Sequence, residues 1–414
     1  MRYSKRISDK AIKRALNVSG VVVVEGPKAC GKTSSARQFA KSVVMLEPQS
    51  EETTVGLNDP HSILKGKPPR LIDEWQLVPN VWDAARREVD EREEDGQFIL
   101  TGSAKPADDE TRHSGAMRFA RVMMRPMSLF EFGVSDGSVS LDSLWNGCRI
   151  EANDYEKVEK NRIIKEICRG GWPSNLRRNI EESMLANKNY IRTVVSTDII
   201  TVDGVKRDPL KVNALLYAIA RNSASYASNK TLKLDSSRFE EPLNDRTLVS
   251  YLDALSRLFI YVEQPAWGQH LRSTTAVRSA PKRHLVDPSL AVAALRASPK
   301  SLSSDSETLG FLFESLVFRD ICVYADFLDL RVVAHHDSND NEIDIVLTDG
   351  IEWAGIEVKL GSSAQSVKVA SDNLIRISRL LKTEPKFLAV ITPDSIPRTQ
   401  ENGVHVFSIG NLGV

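Results

Sequence analysis

The chain has 414 residues, 41% hydrophobic and 27% charged, with 55 basic and 55 acidic side chains and a formal net charge of zero. That length is too great for one core and predicts two or three domains. The balanced charge excludes a whole-molecule field that would gather nucleic acid or lipid, so any such surface must be local. Cys30, Cys148, Cys168 and Cys322 lack the C-x-x-C spacing of a zinc or redox site, which fits a reducing cytosol. The basic N-terminus, MRYSKRISDKAIKRAL, has no apolar core for a signal peptide. No run approaches the ~20 apolar residues of a membrane span, so a cytoplasmic protein without a membrane partner is expected.

Residues 7–18 predict a helix leading into Val21–Thr33, VVVVEGPKACGKT. The β-branched residues make a short buried strand. Gly26, Gly31, Lys32 and Thr33 then match G-x-x-x-x-G-K-[ST] without departure. The glycines let the backbone curl with its N–H groups inward, a nest for phosphate, and the following helix adds its positive N-terminus. Gly26, Pro27, Lys28, Ala29, Cys30, Gly31, Lys32, Thr33 and Ser34 are therefore expected to cradle ATP or ADP. Lys32 would reach the β- and γ-phosphates, and the Thr33 hydroxyl would hold Mg²⁺.

SSARQFAKSV is expected to continue as a helix, VVMLEP (43–48) as a second strand, and a polar connection to run to Pro69. Leu71 and Ile72 carry a strand to Asp73 and Glu74 at its carboxyl end, where ligands sit in open α/β sheets. Asp73 is expected in the Mg²⁺ shell and Glu74 to polarise the attacking water. An acidic pair can also end a strand by chance or cap a helix, and its place after a phosphate loop favours the chemical role. Residues 82–94 predict an amphipathic helix and 97–103 a strand ending in hydroxyls. There Thr101 or Ser103 would either sense the γ-phosphate or simply close a turn. Within residues 117–127, one of Arg118, Arg121 and Arg125 is a candidate to neutralise transition-state charge, in cis or from a neighbouring subunit; the alternative is solvated surface. Arg121 heads that set.

The phosphate loop, LIDEWQ (71–76), FILTGS (98–103), the arginine segment and PMSLFEF (126–132) together resemble a bacterial and archaeal family of AAA-type ATPases with an uncharacterised C-terminal domain, the AAA_14/DUF4143 architecture. The likeness covers nearly the whole chain. Two departures stand out: Ala120 precedes Arg121 where the family favours glycine, and Met127 replaces a usual leucine. The fold expected is α/β. It comprises a P-loop AAA-type ATPase domain (1–150), a helical, winged-helix-like middle domain (151–297) and an α/β restriction-endonuclease-like C-terminal domain (298–414).

Residues 133–158, rich in Gly, Ser and Asp, mark a boundary. Gly170-Gly171-Trp172-Pro173 reads as a tight turn; the resemblance implies a turn that contacts nucleotide and couples it to the next domain. Helices are expected over 181–200, 209–222 and 244–259. In the last, Leu248, Tyr251, Leu252, Leu255, Leu258 and Phe259 form one apolar stripe, capped by Asn244 or Asp245. An extended segment over 261–267 completes the helix–helix–helix–hairpin order of a winged helix. Between Gln264 and His284 stand Arg272, Arg278, Lys282 and Arg283 with no acid. This is either a basic wing for DNA phosphates or a solvated hairpin of a lid or oligomerisation domain.

Residues 298–306 predict a serine-rich linker, 309–324 a helix carrying Glu314 in an apolar pattern, and 330–336, 342–347 and 355–360 strands. Alternation sets Asp344 opposite Ile343 and Ile345 and puts Glu357 and Lys359 on one face. A carboxylate on one strand with Glu-x-Lys on the next resembles a PD-(D/E)xK nuclease core. Asp344, Glu357 and Glu314, with the Val358 carbonyl, would hold Mg²⁺, and Lys359 would orient the attacking water. The plain alternative is a salt-bridging ladder on an exposed strand. A retained fold can also serve only to bind DNA or protein.

The functional expectation is an ATP-hydrolysing homo-oligomer whose nucleotide state controls a nuclease-like domain, with duplex or branched DNA as partner. Its alternative is an ATP-dependent switch whose nuclease-like domain is inactive and binds a partner.

Overall fold

The computed structural model describes residues 3–105, 115–151, 155, 158–238, 243–268, 280–339, 341–381 and 383–414. The chain divides into two compact units. The first is Met1–Pro126 with Thr197–Lys206 and Asp253–Ile260; the second is Met127–Ser196, Arg207–Leu252 and Tyr261–Val414.

The first unit contains α1 (Ile7–Leu16), β1 (Val21–Glu25), α2 (Lys32–Ala36), β2 (Ser42–Met45), α3 (Glu51–Asn58), α4 (Pro60–Leu64), β3 (Arg70–Asp73), α5 (Val81–Arg92), β4 (Phe98–Gly102) and β5 (Phe119–Met123). Its strands form one parallel sheet in the order β2-β3-β4-β1-β5. β1 lies inside the sheet and is buried along its whole length, which is why it reads as an uninterrupted apolar run rather than an alternation. On one face Val21 and Val23 join Ile72, Trp75, Trp82, Phe98 and Leu100 in a single core.

Two expectations fail here. The helix after the phosphate loop stops at Ala36, because the Lys41 N–H bonds the Pro69 carbonyl at 2.8 Å and draws the chain into the sheet one residue later. The polar connection to Pro69 folds into α3 and α4. Ser50 caps α3 by accepting from the Thr53 N–H at 3.2 Å, and Asp59 caps α4 ahead of Pro60.

The chain continues with β6 (Val139–Ser140), α6 (Leu141–Trp145), α7 (Lys160–Arg169) and α8 (Ile180–Thr193), then a π-helical turn over Val194–Asp198 and α9 (Ile199–Thr201). After these come α10 (Pro209–Arg221), α11 (Asn229–Ser236), α12 (Asp245–Arg257), the antiparallel pair β7 (Tyr261–Gln264) and β8 (Lys282–Leu285), and α13 (Pro288–Leu295). The expected cap of α12 is Asn244, whose Oδ1 accepts from the Thr247 N–H at 2.8 Å. The expected linker is instead the helix α14 (Pro299–Ser304), capped by Ser298 with proline in its first turn. Next come α15 (Ser306–Leu328), β9 (Arg331–His336), β10 (Glu342–Thr348), β11 (Trp353–Val358), α16 (Ala364–Leu380), β12 (Leu388–Thr392), β13 (Arg398–Thr399), β14 (His405–Ser408) and β15 (Leu412–Gly413). The sheet of this C-terminal α/β region runs β13-β14-β12-β11-β10-β9, antiparallel across β9–β10–β11 and parallel across β11–β12–β14.

Buried ionic and backbone contacts fix two family-like segments in the second unit. Arg319 of α15 bonds Asp287 at 2.8 Å and Asp320 at 2.6 Å, all three side chains being buried. Asp287 also accepts from the Gly171 N–H at 3.0 Å, and Asp320 from the Leu129 N–H at 2.8 Å. The Gly-Gly-Trp-Pro turn is thereby pinned against α15, with Trp172 Nε1 donating to Ser289 at 3.2 Å. A Cβ on Gly171 would lie 2.2 Å from the Met127 carbonyl oxygen, so no side chain fits there. Within the Gly/Ser/Asp-rich stretch, β6 pairs with β15, and the Ser135 hydroxyl donates to the Leu412 carbonyl at 2.7 Å.

Candidate functional site

The phosphate loop follows directly from β1. Gly26 has φ +152°, and a Cβ there would stand 2.0 Å from the Met124 carbonyl oxygen, so glycine is obligatory. Gly31 is also left-handed, with φ +107°. Lys32 is buried and donates to the carbonyls of Gly26 and Pro27, both at 2.9 Å, spanning the curled loop. Arg6 donates to the Cys30 carbonyl at 2.7 Å and the Arg125 carbonyl at 2.8 Å, so the residue preceding α1 braces the loop. Lys28 pairs with Asp198, at the end of the π-helical turn, at 2.6 Å. Ala29 and Ser34 are exposed.

The carboxyl ends of β3 and β4 lie in register, Asp73 beside Thr101. Asp73 Oδ1 accepts from the Thr33 hydroxyl at 2.7 Å and from the Thr101 hydroxyl. Glu74 adopts φ +55°, a left-handed conformation costing on the order of 1–3 kcal/mol for a residue with a side chain. Its N–H meets Thr101 Oγ1 at 3.3 Å, and its Oε2 accepts from Ser103 Oγ at 2.7 Å and from Gln76 Nε2. Thr33, Asp73, Glu74, Thr101 and Ser103 are thus brought together. Arg121 lies on the edge strand, ion-paired to Glu25 with its guanidinium 5.1 Å from the Trp82 ring centre. Arg118 pairs with Asp90 at 2.8 Å.

A second cluster lies in the C-terminal α/β region. Glu314 of α15 and Glu342 and Asp344 of β10 converge on Lys282 of β8, with Glu357 and Lys359, on and just beyond β11, paired nearby. The Lys282 side chain is 1% exposed, with its Nζ 2.7 Å from Glu314, 2.6 Å from Glu342 and 3.1 Å from Asp344. Asp344 Oδ2 also accepts from the Val358 N–H at 2.8 Å, and Lys359 pairs with Glu357 Oε1 at 2.7 Å. Glu357 Oε2 is buried and meets no partner. Asp344 and Glu357 are buried, so this is not an exposed salt-bridging ladder.

Residues 18–133 match the family model of an AAA domain (AAA_14), residues 309–412 that of a domain of unknown function (DUF4143), and residues 160–301 that of another (DUF8612). The chain has the AAA_14/DUF4143 architecture. Its AAA_14 segment is an ATPase-type domain. An uncharacterised protein of Mycobacterium bovis and one of Mycobacterium tuberculosis are each 24% identical over 328 residues, 78% of this chain. The matched stretch covers 66% of those relatives' own length, just under two thirds. Among solved structures, a Walker-type ATPase of Pyrococcus abyssi is similar at 14% identity and a TM-score of 0.43, covering 69% of this chain and 94% of that one. Caenorhabditis elegans PCH-2 is similar at 14% identity and a TM-score of 0.20, covering 61% of this chain and 66% of that one.

The two acid sets of this AAA_14/DUF4143 chain differ in their fitness for a divalent ion. In the AAA_14 domain, the Thr33 hydroxyl and the Asp73 carboxylate are hard oxygen donors side by side, a set that fits Mg²⁺ completed by phosphate oxygens. In the DUF4143 region, the point on which Glu314, Glu342 and Asp344 converge is taken by an ammonium group. Among the described residues no group of three or more His, Cys, Asp or Glu is arranged to hold a metal. Of the expected Mg²⁺ ligands, Glu314 and Asp344 therefore meet at Lys282, while Glu357 is paired with Lys359. Burial opposes the charge of Lys282, and Asp344, Glu314 and Glu342 more than offset it, holding its pKa well above the usual value. Burial first, and the Asp344 charge second, push Glu314 and Glu357 up to about 8.

The basic wing is corrected by these contacts. Lys282 points inward, and Arg283 is buried, donating to the Ala227 carbonyl at 2.7 Å, Tyr261 Oη at 2.6 Å and Asn229 Oδ1 at 2.8 Å. Arg272 and Arg278 lie outside the described residues. Sequence reasoning missed Gln76, Glu342 and the central role of Lys282. Gln76 was within reach, being the last residue of LIDEWQ. No helix among the described residues is long and apolar enough to cross a membrane.

Proposed function

We propose that this protein binds ATP with Mg²⁺ in its AAA_14 domain and hydrolyses it, and that the nucleotide state governs what its DUF4143 domain binds. The observation that carries the first part is the paired arrangement at the ends of β3 and β4: Asp73 held by Thr33 and Thr101, and Glu74 held by Ser103 and Gln76. When bound, Mg²⁺ would neutralise charge on the phosphate oxygens, held by Thr33 and through the Asp73 shell. Residues 26–34 supply backbone donors, and Lys32 exchanges its two carbonyl partners for the β- and γ-phosphates. Glu74 orients the attacking water, its carboxylate fixed from two sides. Thr101 ties Asp73 to the Glu74 N–H, so the two acids move as a unit. Arg121 neutralises developing charge, within the chain or on a neighbour in a homo-oligomer. Replacing Glu74 by Gln is expected to leave ATP binding intact while phosphate release falls to background. Wild-type turnover in that variant would show that Glu74 is not the water-orienting group.

For the remaining chain we take the division 1–150, 151–297 and 298–414, with the last part restriction-endonuclease-like. Active cleavage of duplex or branched DNA is one reading. The other, an inactive nuclease-like domain used for partner binding, is favoured by the Lys282 ammonium among the acids. Duplex, single-stranded and branched DNA incubated with Mg²⁺ and ATP are expected to remain intact. Cleavage that disappears in Asp344→Asn would reinstate the nuclease.

A further inference from the structure

We propose that Lys282 is the resident cation of the DUF4143 acid cluster. It occupies the place of a divalent ion, and such an ion enters only when the lysine charge is removed. This rests on the reading of the C-terminal domain as an inactive nuclease-like fold and specifies what fills its centre.

The first support is stoichiometric. An ammonium group has three N–H donors and no acceptor, and Glu314, Glu342 and Asp344 each lie within ion-pairing distance of it. Its donors are therefore fully used. The second support is how firmly Lys282 is placed. It sits on β8, paired in register with Gln264 of β7, and the two residues that follow it are also fixed. Arg283 has three partners, and His284 lies fully buried between Ser315 at 3.0 Å and Gln264 at 3.2 Å. The ring of Tyr226 stands 5.4 Å from Nζ on a further side. This is a lysine built into the core.

The third support is electrostatic. Acid groups drawn to one point oppose each other's ionisation, so charging Glu314, Glu342 and Asp344 together requires a cation there. A divalent ion and an ammonium cannot share that point for the same reason. Glu357 completes the case: its Oε2 is buried without a partner, while Lys359 holds its other oxygen at 2.7 Å. A buried carboxyl oxygen without a partner is a ligand position left unused.

The test uses the full chain, stripped with EDTA and free of nucleotide, with Mn²⁺ as probe read by electron paramagnetic resonance. Wild type and Asp344→Asn are expected to bind the same amount of Mn²⁺ up to millimolar concentration, which subtracts any ion held by the AAA_14 domain. Lys282→Met is expected to gain about one Mn²⁺ per chain, its carboxylates then being free ligands, and Lys282→Met with Asp344→Asn to lose it again. Mn²⁺ in wild type that disappears in Asp344→Asn would overturn the proposal. So would a folded Lys282→Met protein that gains no ion. Should Lys282→Met fail to fold, the wild-type and Asp344→Asn comparison decides alone. Asp344-dependent Mn²⁺ uptake without DNA cleavage would sink this inference and leave the partner-binding reading standing. Uptake with cleavage would remove both.

Discussion

Asp73 and Asp344 both sit on a strand in a cluster of polar side chains, yet they are held by different chemistry. Asp73 is gripped by the hydroxyls of Thr33 and Thr101, which orient it and leave its charge uncancelled. Asp344 is gripped by the Lys282 ammonium and the Val358 N–H, so a full positive charge already faces it. A carboxylate oriented by neutral donors is prepared for an incoming cation; one paired with a buried ammonium has its cation already. The same residue type is thus held by neutral donors in one unit and closed in an ion pair in the other.

That contrast is broken most sharply by removing each aspartate. Asp344→Ala leaves a buried ammonium short of a counter-charge and is expected to cost about 3–5 kcal/mol of stability, seen as a lowered urea midpoint for the C-terminal domain. Asp73→Ala removes only hydroxyl hydrogen bonds and is expected to cost about 1 kcal/mol, while ATP turnover falls by two or more orders of magnitude. If both variants lose stability equally, the open-versus-closed distinction fails.

A finer comparison concerns Glu74, whose left-handed backbone leaves its carboxylate to be aimed by its neighbours. Ser103 donates to Oε2 at 2.7 Å and Gln76 donates to the same oxygen. Ser103→Ala deletes one of two donors, so turnover is expected to drop about tenfold, close to 1.4 kcal/mol in the barrier, with ATP affinity unchanged. A change in affinity alone would instead make Ser103 a nucleotide contact.

The difference between the units also explains which of them could be read in advance. The phosphate loop lies in one contiguous run, and Gly26 and Gly31 are demanded by backbone geometry that any sequence with that spacing must meet. Asp73, Glu74 and Thr101 end strands whose apolar runs are plain. Lys282 is the opposite case. It belongs to a hydrophilic-looking KRHL strand and meets Glu314, Glu342 and Asp344 only through tertiary packing, so nothing local separates it from a solvated hairpin lysine. Counting Lys282 and Arg283 as a wing followed from composition, which carries no information about inward direction. The helices over 51–58, 60–64 and 299–304 were missed differently. Their caps, Ser50, Asp59 and Ser298, and the prolines after the last two, were legible, but polar composition outweighed them.

The smallest expected effect comes from the neutral layer beneath the second cluster. Gln264 Nε2 donates to the Val333 carbonyl at 3.0 Å and the Asp344 carbonyl at 2.8 Å, which leaves Gln264 Oε1 as acceptor for His284 Nε2–H. His284 Nδ1 then accepts from the Ser315 hydroxyl, and the ring stacks on Phe318 at 4.1 Å. Burial, with the Lys282 charge second, lowers the His284 pKa to about 3. Between 6.5 and 3 the unfolded chain binds a proton at this residue that the folded chain does not, so stability falls as pH falls. From pH 6.5 to 5.5 the loss is about 1 kcal/mol. Glu314 and Glu357, pushed up to about 8, press the other way, since the folded state holds their protons more tightly above the ordinary glutamate range. The His284 share is therefore read as a difference. His284→Gln is expected to be less stable at neutral pH but to lose about 1 kcal/mol less than wild type between those two pH values. Parallel pH profiles for the two proteins would mean that His284 titrates normally in the fold, and that the layer beneath Lys282 is open to water.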